Sequence, residues 1–196
     1  MRIIKLSPKA LSEAVVFLKK GGVVICPTDT VYGFLADASN KKAVEKIYKI
    51  KKRPKSKPLS LFVKDVTMAQ KIALINEKQA KMLKKYWPGK YTFILARRFP
   101  EVGPRGTLRL YGLSKDTVGI RIPKHLFLQK LLKKVNRPLA QTSVNISTQE
   151  PLNKIGDIIK QFGKKDVLII DGNDLKKAKP SKIIDLTKNK NNILRP

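Results

Sequence analysis

Hydrophobic positions along the chain fall into short runs with two different periods, and the two kinds of run alternate. Ala10, Leu11, Ala14, Val15 and Leu18 recur at helical spacing, with Ser7 placed to cap, Pro8 in the first turn and Gly21 as the stop. Gly22–Thr28 reads as a buried strand, and a polar turn leads from it to a helix over Lys42–Lys51. Leu59–Val63 is a short strand. Asn76 with Gln79 forms a capping-box signature for a helix that runs to Tyr86, where Trp87-Pro88-Gly89 breaks it. Tyr91–Arg97 is the clearest strand, and Gly103–Lys115 is glycine-rich and reads as a loop or hairpin. Val118–Ile122 is a strand, Lys124–Lys134 a helix and Pro138–Ser143 a strand. Asn153–Phe162 is a helix stopped by Gly163, and Val167–Ile170 and Lys182–Leu186 are late strands. Such interleaving predicts an α/β or α+β fold with a mixed sheet flanked by helices, in one domain over residues 1–196.

Composition narrows the setting. The first residues are basic and partly apolar, yet Glu13 and Lys19 bracket the apolar stretch and no small-residue cleavage site follows, so it reads as an amphipathic helix rather than a signal peptide. No window reaches the ~18 apolar residues of a membrane span. A single cysteine, Cys26, rules out an intrachain disulfide and fits a reducing cytoplasm. The net charge of +29 points to anionic partners, either nucleic acid or a polyphosphate. However, only nine of the 43 basic residues are arginine, and the 34 lysines are spread along the chain, so charge alone leaves a merely solvated surface equally open.

Chemistry is constrained by what is missing. One histidine, His125, and one cysteine give no zinc cluster and no Cys/His dyad, and 14 carboxylates give little sign of an acidic metal site. No nucleophile elbow, P-loop or dinucleotide fingerprint occurs. What the chain has in number is Lys, Arg, Ser, Thr and Asn, groups that bind phosphate and act by positioning and charge stabilisation.

Three segments stand out. Cys26–Gly33 sets hydroxyls and a carboxylate at a strand's C-terminal end, where α/β folds place ligands; a plain polar turn is the alternative. In Lys49–Leu59 a basic cluster sits where a helix meets Pro54. Lys51 and Arg53, two apart, converge on one ligand only from non-helical or terminal backbone, and a solvated basic face is the alternative. In Gln141–Ser147 the polar Ser143, Asn145 and Ser147 alternate, so an extended backbone would put them on one face; a cap or turn is the alternative.

Taken together these residues resemble the YrdC/TsaC family. Residues 27–33 (PTDTVYG) are similar to its P-T-[DE]-T-V-Y-G-L signature, and Lys51, Arg53, Pro54, Pro58 and Leu59 match K-x-R-P-x-x-x-P-L. Trp87–Phe93 resembles W-P-G-x-x-T-F, Gly119–His125 resembles V-x-V-R-x-P-x-H, and Ser143–Ser147 resembles S-A-N-x-S. Asp171-Gly172, Ser181–Asp185 and Leu194-Arg195-Pro196 resemble D-G-G, S-T-V-V-D and L-R-P-G. These motifs stand in register over nearly the whole chain.

The resemblance implies a twisted mixed sheet under a basic concavity, and synthesis of threonylcarbamoyl-AMP from L-threonine, bicarbonate and ATP with release of pyrophosphate, the first step of a tRNA modification. It implies that Lys51 and Arg53 bind the phosphates and act in catalysis, with Lys55 alongside. Thr117, Ser143, Asn145 and Arg195 would complete the ATP site. Thr28, Ser60, Arg121 and Ser181 would hold threonine, Arg121 by its carboxylate. Mg²⁺ would come with ATP, held by phosphates and water. Possible partners are tRNA or double-stranded RNA on the concavity and a tRNA threonylcarbamoyl transferase complex that takes the product. Lys51→Ala and Arg53→Ala are expected to abolish adenylate formation with the fold intact. Departures from the pattern are Val144 for alanine, Thr148 where many members have glycine, and Pro151–Asn153 for S-P-T. A YciO-like paralogue without the full K-x-R and S-x-N sets, a non-catalytic RNA-binding protein and a carbamoyltransferase-type maturation module are the competing readings.

Overall fold

A computed structural model describes residues 2–99, 107–176, 179–188 and 192–195. Ten strands form one sheet: β1 (Arg2–Lys5), β2 (Val23–Cys26), β3 (Gly33–Asp37), β4 (Ser60–Phe62), β5 (Tyr91–Ala96), β6 (Thr117–Arg121), β7 (Leu139–Ser143), β8 (Val167–Asp171), β9 (Lys182–Asp185) and β10 (Asn192–Arg195). Their spatial order is β1-β8-β2-β3-β7-β4-β6-β5-β9-β10. Pairings β1–β8, β2–β8, β4–β6 and β5–β9 are parallel and the others antiparallel, so the sheet is mixed, as expected. The helices are α1 (Pro8–Lys19), α2 (Lys41–Lys51), α3 (Val66–Ile72), α4 (Glu77–Tyr86), α5 (Leu126–Val135) and α6 (Ile155–Phe162).

The helix signals read from sequence act through local hydrogen bonds. Ser7 Oγ accepts from Ala10 N, and Gly21 adopts φ +78° just past α1. Asn76 and Gln79 exchange the reciprocal bonds of a capping box at α4. Four elements were not legible. Residues Gly33–Asp37, read as part of a polar turn, form β3; all five are buried, because a central strand covered on both faces loses the alternation that marks a half-exposed one. The others are β1, α3 and β10, of four, seven and four residues, too short to show a period. Of the expected loop at Gly103–Lys115, residues 107–115 carry neither helix nor strand, and 103–106 lie outside the described residues.

Two apolar clusters sandwich the sheet. On one face α1 and α5 pack together over Val24, Leu35, Leu168 and Ile170. On the other, α2 and α6 bury Ile47, Ile158 and Phe162 against Ile25, Phe34 and Ile169. Because α1 and α5 cover β8, β2 and β3 and reach only Leu139 of β7 and Phe62 of β4 beyond them, the same face is left open over the ends of β3, β7 and β4 and over β6, β5 and β9. That open face positions the site. Among the described residues no helix is long and apolar enough to cross a membrane.

Candidate active site

Alternate residues of neighbouring strands share one face of a sheet, and here they floor a cavity of about 510 Å³. Gly33 of β3 lies beside Ser143 of β7, Gln141 of β7 beside Ser60 of β4, and Gly119 of β6 beside Ile94 of β5. Thr117 and Arg121 of β6, Thr92 of β5 and Ile183 of β9 extend the floor. The walls come from the turn after β2, the α2–β4 connection, the loop after β7 and the chain around Ser181 and Arg195. Such a volume falls within the range of small-molecule sites.

Every residue assigned from the resemblance except Lys55 lines this one cavity: Thr28, Lys51, Arg53, Ser60, Thr117, Arg121, Ser143, Asn145, Ser181 and Arg195. Lys55 is exposed and is not among the lining residues. Lys51, Arg53, Lys57, Arg121 and Arg195 bring positive charge to the lining, which among the described residues contains no Asp or Glu. Field lines concentrate in such a cleft, so an anionic ligand is drawn to it.

Helix α2 ends at Lys51, and Lys52 in the left-handed region (φ 49°) reverses the chain. This is the terminal backbone that two cations at spacing two require. Lys51 is buried, and its ammonium donates to Ser143 O (2.8 Å), Asn145 O (3.0 Å) and Asn145 Oδ1 (2.6 Å). Ser147 N donates in turn to Lys51 O at 2.8 Å, so the loop after β7 is tied to the end of α2 from both sides. Burial first, and then the Arg53 charge, push the Lys51 pKa down to about 7, while the three oxygen acceptors favour its charged form. Arg53 donates from Nε to Lys57 O (3.0 Å) and from Nη2 to Pro58 O (2.9 Å), which curls the 53–58 segment over the cavity rim.

The expectation that Ser143, Asn145 and Ser147 share one face of an extended strand needs correction. Strand β7 ends at Ser143, and residues 144–149 turn. The turn closes because Ser143 Oγ donates to Asn145 Oδ1 (2.7 Å), while Asn145 Nδ2 donates to Ile146 O (2.9 Å) and Gln149 O (2.6 Å). All three side chains still reach the cavity. Val144 points the other way, into the core, where its larger side chain is fully buried. Thr148, at the position of a family glycine, has φ 77°. A β-branched residue in this region costs about 1–2 kcal/mol. Thr148→Gly is therefore expected to raise the urea midpoint, by up to about 1 kcal/mol of stability after the extra chain entropy of glycine is counted. An unchanged or lower midpoint would show that the threonine side chain repays its strain.

Arg121 is the most enclosed cation. Its Nη2 lies 2.6 Å from Asp29 Oδ1, its Nε donates to Gly89 O (2.9 Å) and its Nη1 to Thr30 Oγ1 (3.2 Å). Asp29 Oδ2 accepts from Lys124 N at 3.0 Å. Thr28 Oγ1 donates its one proton to Val31 O (2.7 Å), so Thr30 is the donor in the 3.0 Å contact between the two hydroxyls. A directed chain thus runs from Arg121 through Thr30 and Thr28 to the backbone. Arg195 donates to Ser181 O (2.8 Å) and Ser181 Oγ (3.1 Å), and Ser181 Oγ lies 3.0 Å from Thr92 Oγ1. Burial lowers the pKa of both guanidiniums; Asp29 opposes this at Arg121, and the Arg121 charge adds to it at Arg195. Asp29 offsets one of two adjacent cations, which leaves charge for a single carboxylate. Asp29, Thr30, Thr92 and Gly119 stand within segments and motifs read from sequence but were given no individual role there. The sequence signal for Asp29 was a lone carboxylate among hydroxyls, whereas Thr92 and Gly119 gain a role only by register.

The comparisons agree with this architecture. Residues 16–196 match the Sua5/YciO/YrdC family model, described as telomere recombination, and the chain belongs to that family. It is 37% identical over 196 residues to a Methanocaldococcus jannaschii protein provisionally named as a threonylcarbamoyl-AMP synthase, covering 97% of this chain and 88% of that protein. It is 35% identical over 181 residues to the Pyrococcus abyssi threonylcarbamoyl-AMP synthase, covering 92% of this chain but 52% of that protein, so it spans about half the length of this relative. The solved P. abyssi Sua5 complexed with L-threonine superposes with a TM-score of 0.84 at 31% identity, over 100% of this chain and 56% of that one. Escherichia coli YciO superposes with a TM-score of 0.85 at 28% identity, over 99% and 93%.

Proposed function

We propose that this chain is a nucleotidyltransferase that makes threonylcarbamoyl-AMP from L-threonine, bicarbonate and ATP. The observation that carries the reading is one cavity lined by Lys51, Arg53, Ser143, Asn145 and Arg195, which we read as an oxyanion-binding set, and by Arg121 and Ser181, which we read as the threonine-binding set. Relatives of this chain are named for that activity, and one is solved with L-threonine bound.

In this reading the threonine carboxylate meets Arg121. The amine nitrogen joins bicarbonate carbon with loss of water, giving a carbamate. A carbamate oxygen then forms the bond to the α-phosphorus of ATP while the bond to pyrophosphate breaks. The attacking group is already anionic, so the step needs positioning and charge stabilisation more than a strong base. Thr117, Ser143, Asn145, Arg53 and Arg195 bind the nucleotide, with Lys51 fixing the loop that presents Ser143 and Asn145. Thr28 and Ser60 complete the threonine side. With no carboxylate in the lining, Mg²⁺ enters on the phosphates of ATP. The product is reactive and would pass to a tRNA-modifying transferase in the cytoplasm, with residues 1–196 acting as one catalytic unit.

The similarity to YciO keeps a paralogous function as the second reading; the complete K-x-R and S-x-N sets in one cavity favour the synthase. Incubation with ATP, bicarbonate and labelled L-threonine is expected to give a threonine-dependent labelled adenylate and equimolar pyrophosphate, without RNA. Pyrophosphate release indifferent to threonine would sink the proposal.

A further inference from the structure

Two positions on the cavity floor carry no side chain, Gly33 on β3 and Gly119 on β6, and Gly119 is the one set between polar side chains of neighbouring strands. Across the strands Gln141, Ser60, Gly119 and Ile94 lie side by side, and along β6 Gly119 stands between Thr117 and Arg121 on the same face. The Gly119 backbone is outside the left-handed region, so glycine is not there for its conformational freedom. What it provides is space. A Cβ built there would lie 3.3 Å from Ser60 Oγ, 3.5 Å from Ser60 Cβ and 3.5 Å from Thr92 Cγ2.

The two walls of this gap differ chemically. Ser60 offers a hydroxyl that has no hydrogen-bond partner among the described residues. Thr92 offers a methyl, because its hydroxyl is turned to Ser181 at 3.0 Å. A carbon that carries one hydroxyl and one methyl matches this pair of walls, and the β-carbon of L-threonine is such a carbon. The position along the strand suits it as well. Arg121 is two residues away, about 6–7 Å, on the side where the carboxylate would be anchored. Thr117 is the same distance away on the nucleotide side. An amino acid held by its carboxylate, with its carbamate oxygen reaching the α-phosphorus, has to pass over Gly119.

Resting on the function proposed above, we propose that Gly119 is the specificity-determining position of the amino-acid site, its missing side chain leaving a seat in which Ser60 Oγ receives the substrate hydroxyl and Thr92 Cγ2 the substrate methyl. The seat excludes a wall atom in wild type and would be filled by a single methyl group in a variant.

The test is titration calorimetry with L-threonine, L-2-aminobutyrate (which lacks the hydroxyl) and glycine, on wild type, Gly119→Ala and Ser60→Ala. Adding one methyl at the seat is expected to weaken L-threonine by about tenfold or more, while glycine changes by less than about twofold. Ser60→Ala is expected to bring L-threonine and L-2-aminobutyrate within about threefold of each other, from a wild-type preference of about tenfold or more. Proportional losses for threonine and glycine in Gly119→Ala, or an unchanged threonine preference in both variants, would overturn the inference. Thermal unfolding checks that the variants are folded; if Gly119→Ala is not, Ser60→Ala decides alone. Wild type that binds no L-threonine would fail the functional reading and this inference with it. Wild type that binds it, with selectivity unmoved by either variant, would fail this inference only.

Discussion

Arg121→Met is expected to lower kcat/KM for threonine-dependent pyrophosphate release by about a hundredfold or more, and to destabilise the protein by about 3–5 kcal/mol. Both effects come from one contact. The Arg121 side chain is 2% exposed and that of Asp29 8%, so removing the guanidinium strands a buried carboxylate. It also leaves Thr30 Oγ1 and Gly89 O without their donors. The double variant Asp29→Asn, Arg121→Met removes both charges, and replacing a buried pair is far less costly than breaking it. Urea unfolding should therefore show much of the stability restored in the double variant, while threonine-dependent pyrophosphate release stays as low as in the single variant. If the single variant unfolds at the wild-type urea midpoint, the pair contributes nothing to stability and the description of Asp29 as its buried counter-ion fails.

Lys51→Met is the second large effect. Adenylate formation should fall below detection, and stability should drop by about 1–3 kcal/mol, because the buried acceptors on Ser143 and Asn145 lose a shared donor. The expectation from sequence was loss of activity with the fold intact. Burial of the ammonium revises it: Lys51 holds up the loop as well as serving the ligand. Arg53→Ala should lose activity at a smaller cost in stability, since its bonds go to two carbonyls of an exposed segment.

The same lysine predicts a pH dependence. Its folded pKa of about 7 lies below the ordinary lysine value of 10.5, so between those values the unfolded chain binds more protons, and stability rises with pH across that window. An anionic phosphate beside Lys51 favours its charged form and raises its pKa, so nucleotide binding above pH 7 should take up a proton and weaken as pH climbs toward 9. Titration calorimetry of ATP at pH 8, in two buffers of different ionisation enthalpy, measures the uptake. The signal should vanish in Lys51→Met; if it persists there, another group titrates.

How much of this was legible in the chain depended on how local each signal was. The caps of α1 and α4, the break at Trp87-Pro88-Gly89 and the strand at Tyr91 are written in neighbouring residues, since capping and periodicity act within a turn or two. Lys51 and Arg53 could be picked out because Pro54 marks the break in backbone that lets two cations at that spacing converge. Strand β3 was hidden, because burial on both faces erases alternation. Asp29 stood in plain view as a residue type, but its role depends on Arg121, 92 positions away. The alternation of Ser143, Asn145 and Ser147 suggested a strand, and side-chain bonds from Asn145 and Lys51 made it a turn.

The sequence by itself determined the class of fold and nearly all of the named residues that line the cavity, since residue type, capping and motif order are properties of the chain. Tertiary structure decided which cations make bonds within the protein as well as facing the cavity. Lys51 is bound to the loop after β7 and Arg121 to Asp29, whereas Arg195 stands beside Arg121 with no carboxylate of its own among the described residues. It also gave Gly119 its meaning. A glycine in a strand says nothing about ligands until sheet register sets Ser60 on one side and Thr92 on the other, because an empty position becomes a site only through the side chains that surround it.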